Sequence, residues 1–254
     1  MRLILNETQL VSDSLNKGYA DKKKPSNTIR LLAKHYLSKD MNRPQTINSI
    51  DIFLKKNLKG YNSVKWQNII EKIVNSVHKD KDYEMFDIGE INITKNELTK
   101  ISELKNLKYE KVMFILLVYA KIYNKLNSND KCWVNEELKY IYSDTKMALK
   151  EKDQCKIIYE IAKLKYIEVS RNVDCTNIHV SIVDECGDVE IMIGDFRNLI
   201  YYYLRWKGDK IINCDGCGIL IKPNNNKNKY CSECAKEKQL QWQRESMQKL
   251  RNVK

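Results

Sequence analysis

The sequence predicts a mainly α, α+β protein in three parts, spanning residues 1–85, 90–208 and 209–254. Three observations carry that expectation. Apolar residues recur at three- and four-residue spacing through the first third of the chain. From Tyr109 a long helix, a short strand, two helices and a hairpin follow in that order. Near the end, two CxxC pairs stand thirteen residues apart.

The first part reads as a helical module. SNTIRLLAKHYL, TINSIDIFLKKN and SVKWQNIIEKIVNSV are each amphipathic, and Pro25 and Pro44 mark the starts of the first two. The run DKKKP at 21–25 is short enough to be a solvated surface. HKDKDYEMFDIGE, residues 78–90, lacks a helical period and is the expected boundary. INITKNELTKISEL then reads as a strand entering a helix, with Thr94 and Glu97 at capping-box spacing.

In the middle part, KYEKVMFILLVYAKIYNKLN is a strong helix whose apolar run, Val112 to Ala120, is too short to span a bilayer. CWV at 132–134 reads as a strand, and Asn135 as the N-cap of NEELKYIY. LKEKDQCKIIYEIAKLKY is a second long helix expected to turn Cys155, Ile158, Ile161, Ala162 and Tyr166 inward. It runs into a hairpin, YIEVSRNVDCTNIHVSIV, whose turn is NVDCTN. This order is that of a winged helix-turn-helix domain, in which the helix before the hairpin enters the major groove and the hairpin forms a wing. Lys150, Lys152, Gln154 and Lys156 are the predicted base and phosphate contacts of that helix, and Arg171 and Asn172 those of the wing. Beyond it, a strand precedes an aromatic helix starting near Asp195, whose Tyr201, Tyr202, Tyr203 and Trp206 are expected to pack rather than stack on bases.

The last part carries the sharpest motif. Cys214, Cys217, Cys231 and Cys234 supply four soft ligands at the spacing of a closed tetrahedral site, which predicts structural Zn²⁺ rather than a catalytic ion with an open position. GILIKPNNNKNKY is expected to form a hairpin about its Asn-rich turn. Ser232 would start a helix, which completes a treble-clef-like zinc finger. Cys132, Cys155, Cys175 and Cys186 lack paired spacing and are expected to pack as small apolar groups.

The formal charge is +12, with Lys outnumbering Arg 37 to 8. An A·T-rich codon bias accounts for that ratio but not for the excess of bases over acids. A polyanionic partner follows, because neutralising phosphates releases counterions. Arg205 to Lys254 alone holds twelve bases against five acids, and Lys222, Lys227, Lys229, Lys236, Lys238, Arg244 and Arg251 are its predicted phosphate contacts. No phosphate-binding glycine loop, nucleophile elbow or HExxH motif occurs, so the expectation is a protein that is not an enzyme. Duplex DNA is the foremost expected partner, with RNA, a host protein or a second copy of the chain as alternatives. Neither a secretory signal nor a membrane span is expected, which gives a cytoplasmic location.

EINITKNELTKISELKNLKYEKVMFILLVYAKIYN, CWVNEELKYIY and the terminal CDGCG and KYCSEC together resemble uncharacterised proteins of bacteriophages and integrated elements in low-G+C Gram-positive bacteria. The resemblance covers roughly residues 90–240. It implies a mobile-element context inside a bacterial host cell and assigns no functional residue. The combined expectation is a DNA-binding regulator of transcription, replication or recombination.

Overall fold

The structure, a computed structural model, describes residues 6–18, 25–81, 83–170, 177–225 and 228–252. The described residues form ten helices with short strands between them. None of these helices is long and apolar enough to cross a membrane. The chain divides into two compact units between Gly89 and Glu90, so residues 209–254 share a unit with 90–208.

In the first unit, helices α1 (Glu7–Lys17), α2 (Pro25–Leu37), α3 (Arg43–Asn57) and α4 (Ser63–Asp80) follow one another. Asn42 and Gln45 exchange reciprocal hydrogen bonds at the start of α3, and the Asn62 side chain accepts from Lys65 N at the start of α4. Ile29, Leu32, Ile50, Leu54, Ile70 and Val74 close the core between α2, α3 and α4. One ion pair lies at its edge. Lys34, 4% exposed, meets Glu7 at 3.1 Å and donates to the Glu84 carbonyl, while Glu7 also accepts from Phe86 N.

The second unit is arranged around α6 (Leu107–Asn127), in which every residue from Val112 to Ile122 is buried. A helix that is apolar all round must be wrapped on every side. Before it come β1 (Ile91–Thr94) and α5 (Lys95–Ser102); after it come β2 (Trp133–Asn135), α7 (Leu138–Asp144), α8 (Glu151–Lys163), β3 (Ile167–Val169) and β4 (Asn177–Val180). The strands β2, β4 and β3 form an antiparallel sheet in that order, while β1 pairs with β5 (Val189–Ile193). Helix α9 (Ile200–Trp206) lays Tyr203 on Phe114, with ring centroids 5.2 Å apart.

The structure departs from three sequence expectations in this unit. Asn135 belongs to β2, and the N-cap of α7 is Glu137, which makes no side-chain cap bond. Cys155 and Cys186 are exposed, and Ile157 rather than Cys155 turns inward with Ile158 and Ile161. The aromatic helix begins five residues after Asp195, because Asn198 takes a left-handed φ of 54°; the Asp195 carboxylate accepts from the Arg197 amide and guanidinium ahead of it. Arg171, Asn172 and Cys175 lie outside the described residues, as do Asp21–Lys24 of the early basic run.

Two buried carboxylates of the second unit are paired, whereas His179 Nδ1 is buried without a hydrogen-bond partner among the described residues. Glu97, fully buried, meets Lys121 at 3.0 Å and accepts from Thr94 N and Asp184 N, so the capping box of α5 doubles as half of a buried ion pair. Glu110 takes Tyr203 Oη at 2.9 Å and Lys207 at 3.1 Å. Removing one partner of a buried pair strands the other charge in a low dielectric, at a cost of about 3–5 kcal/mol. Lys121→Met is therefore expected to lower unfolding free energy in urea by about that much. Lys55→Ala, which removes the exposed Lys55–Asp51 pair, is expected to cost under about 1 kcal/mol. Equal effects for the two would refute the assigned role of Lys121.

Candidate metal centre

The four cysteines of the paired motif converge. Each Sγ lies within 4.8 Å of the others, and Cys217 and Cys231 are 3.7 Å apart. A tetrahedral thiolate shell with bonds of about 2.3 Å requires sulfurs about 3.8 Å apart, whereas a disulfide requires about 2.05 Å. The cluster therefore fits a metal ion.

Local backbone geometry builds the clamp. Strands β6 (Ile212–Asn213) and β7 (Leu220–Ile221) pair on either side of the first CxxC. The hairpin thus encloses Cys214 to Gly218, and the Asn-rich turn expected from the sequence is not its tip. Cys214 N donates to the Ile219 carbonyl and Gly218 N to the Cys214 carbonyl, both at 2.8 Å. Gly218 takes φ +74°, a conformation that favours glycine. Gly216 is needed for a different reason: a Cβ there would stand 2.8 Å from Cys234 Sγ.

The second pair opens α10 (Ser232–Asn252). Cys231 precedes the helix and Cys234 lies in its first turn. Cys231 N donates to Cys214 Sγ at 3.2 Å, and Asp215 N to the Lys229 carbonyl at 3.0 Å, so the two halves are joined by hydrogen bonds as well as by ligand position. Burial pushes the Cys214 thiol up, but the amides of Cys231, Gly216 and Cys217 outweigh it and bring it down to about 6. Burial raises Cys217, and burial together with neighbouring thiols raises Cys234. Four like-charged thiolates cannot all form without a cation to hold them.

Side chains outside the motif fasten the clamp to the rest of its unit. Arg197, fixed on Asp195, donates to the Cys217 carbonyl at 3.2 Å, and Asn198 Nδ2 donates to the Leu220 carbonyl at 3.0 Å. Arg205 reaches Asn213 Oδ1 at 3.2 Å. None of these three anchors is legible in the sequence, because nothing in their spacing connects them with the clamp residues they hold.

The predicted phosphate contacts divide into several groups. Lys150, Lys152 and Lys156 are exposed on α8 and its N-cap, and Lys229, Lys236 and Arg244 are exposed at the finger. Gln154 is half-buried, its side-chain Nε2 donating to the Leu149 carbonyl while its backbone carbonyl accepts from Tyr142 Oη. Lys222 pairs with Asp209 at 2.9 Å, and Lys238 sits over the Tyr230 ring and donates to its hydroxyl. Lys227 lies outside the described residues, and Arg251 falls in α10. No family model, curated protein or solved structure matches the chain.

Cys217→Ser is expected to abolish stoichiometric metal binding. Gly216→Ala, which keeps all four thiolates, is expected to weaken it through contact with Cys234. Because protons compete with the metal for thiolate, affinity should fall as pH is lowered. Metal content by elemental analysis and competition with a chromophoric chelator at two pH values check all three. Retention of metal by Cys217→Ser would refute the four-cysteine shell.

Proposed function

We propose that this chain is a zinc-containing DNA-binding protein without catalytic activity, acting as a regulator of a mobile element's transcription, replication or recombination. The observation that carries the proposal is the course of residues 107–180. Helix α6, strand β2, helices α7 and α8, then β3 and β4, with sheet order β2-β4-β3, support a winged-helix reading. In that reading α8 is the recognition helix, and it leaves Lys152, Lys156 and Tyr159 exposed, the tyrosine by 60%.

Glu151 and Asp153, which dilute the charge of this face, lie in the first turn of α8, where a helix dipole favours anions. They therefore have a local structural role and leave the basic side chains beyond them available. With the Gln154 amide bonded to Leu149, the duplex contacts of α8 fall to Lys152 and Lys156, which would neutralise phosphates, and to Tyr159. Arg171 and Asn172 of the wing, and Lys227 and Arg251 of the finger, stay in the proposal on their sequence positions.

Zinc is the metal of choice for four soft thiolates in a closed tetrahedron, and a closed shell leaves no site for substrate. Its task would be to fix a treble-clef-like hairpin and helix carrying Lys229, Lys236 and Arg244 as a second grip on phosphate. A second reading gives the first unit a protein partner. It is favoured by Ile52 and Val64, apolar side chains left 56% and 83% exposed.

Binding of a 20-base-pair duplex by the zinc-loaded chain across a salt series is the test. Affinity should fall steeply with salt, and Lys152→Ala with Lys156→Ala should reduce the log–log slope by about two, one for each phosphate that the variant no longer neutralises. Absence of binding, or binding indifferent to salt, would overturn the proposal.

A further inference from the structure

The outer face of the three-stranded sheet carries a group of side chains that a structural role does not explain. Strand alternation sends Val134, Ile178 and Val180 into the core, each 1% exposed or less. It sends Trp133 and Asn135 of β2, with Asn177 and His179 of β4, to the other side, in the register Trp133 opposite His179 and Asn135 opposite Asn177. Trp133, Asn135 and Asn177 line an open cleft of about 440 Å³ together with Tyr123, Asn127 and Ser170. That volume falls in the range of ligand pockets.

Two properties define what would fit. Trp133 is 41% exposed, with the His179 ring tilted against it at 5.3 Å. The side-chain amides of Asn127, Asn135 and Asn177 make no hydrogen bond to any described residue; where these residues do bond, it is through backbone groups, as when Tyr123 Oη donates to the Asn135 carbonyl. A carboxamide offers a donor and an acceptor in one plane, the pattern of a base edge, and an indole face stacks on any base. Among the described residues no Asp, Glu, Lys or Arg lines the cleft, and its lining suits a neutral planar group. A sugar ring could also stack on Trp133. It would gain nothing, however, from the formal charge of +12, which favours polyanions.

We propose that this cleft binds an unpaired nucleobase, so that the nucleic acid recognised by this chain carries a single-stranded segment beside its duplex. The inference rests on the DNA-binding reading above and narrows its substrate class. The duplex contacts belong to α8, the wing and the finger, whereas the cleft takes one base of the unpaired strand.

The test uses the full zinc-loaded chain and three probes: a blunt 20-base-pair duplex, the same duplex with a short single-stranded tail, and the same duplex with a tail of abasic residues. The two tails present equal phosphate charge. The base-bearing tail should bind about tenfold tighter than the abasic one, toward the lower end for stacking of one base. Trp133→Ala and Asn135→Asp should abolish that preference and leave blunt-duplex affinity unchanged, while Trp133→Phe keeps part of it. Asn135 is exposed, so its variant separates a binding defect from misfolding, which a thermal melt by circular dichroism also checks. Equal affinity for the two tails, with the blunt duplex still bound, would overturn the cleft and spare the DNA-binding reading. Failure to bind any of the three would overturn both.

Discussion

Everything in the second unit depends on the burial of α6. A helix whose residues from Val112 to Ile122 are all removed from water cannot exist alone, and its neighbours are defined by the side of it they cover. Apolar contact is not directional, so it does not by itself fix where those neighbours sit. The polar groups of α6 do that. Glu110 receives Tyr203 and Lys207 from the region of α9, Lys121 receives Glu97 from the capping box of α5, and Asn124 Oδ1 receives the Cys132 amide at the entry to β2. Each is a short-range bond in a low dielectric, and a slip of any neighbour by one residue would leave a buried group unpaired.

What could be read from the sequence were the features whose cause is local. Thr94 and Glu97 make a capping box because three residues of helix bring them together, and the amphipathic runs of the first unit become α2, α3 and α4 because their periodicity is that of a helix. The cysteine spacing belongs to the same class, since each CxxC lies within one turn. Features decided at a distance could not be read. Whether Cys155 or Ile157 turns inward depends on what α8 packs against. The bond from the Gln154 side chain to the Leu149 carbonyl likewise follows from how the turn before α8 folds, which no spacing announces. The Asn-rich segment had turn chemistry, but the β6–β7 hairpin formed around the first CxxC, where the backbone bond from Cys214 to Ile219 sets the pairing.

The clamp and the helices that precede it are also joined by cause. Arg197 and Asn198 stand just before α9, and α9 is held to α6 through Tyr203 and Glu110. The finger's attachment can be followed back from its carbonyls to the central helix, so its orientation is set by the same core that positions α8. A finger tethered only by a flexible linker would sample many orientations. Two basic surfaces on one core can bind with little loss of orientational freedom.

Helix α10 runs for 21 residues, about 30 Å, and from Ala235 to Gln248 every side chain except Ser246 is exposed. In helix–coil terms, a segment with so little packing stands or melts according to whether its first turn is already made, because initiation carries a penalty of about a thousandfold and propagation is nearly neutral. Cys231 and Cys234 make that turn when their thiolates share an ion. The metal would then serve as the helix's nucleus, and the length of ordered chain beyond it would respond to metal occupancy as a cooperative variable.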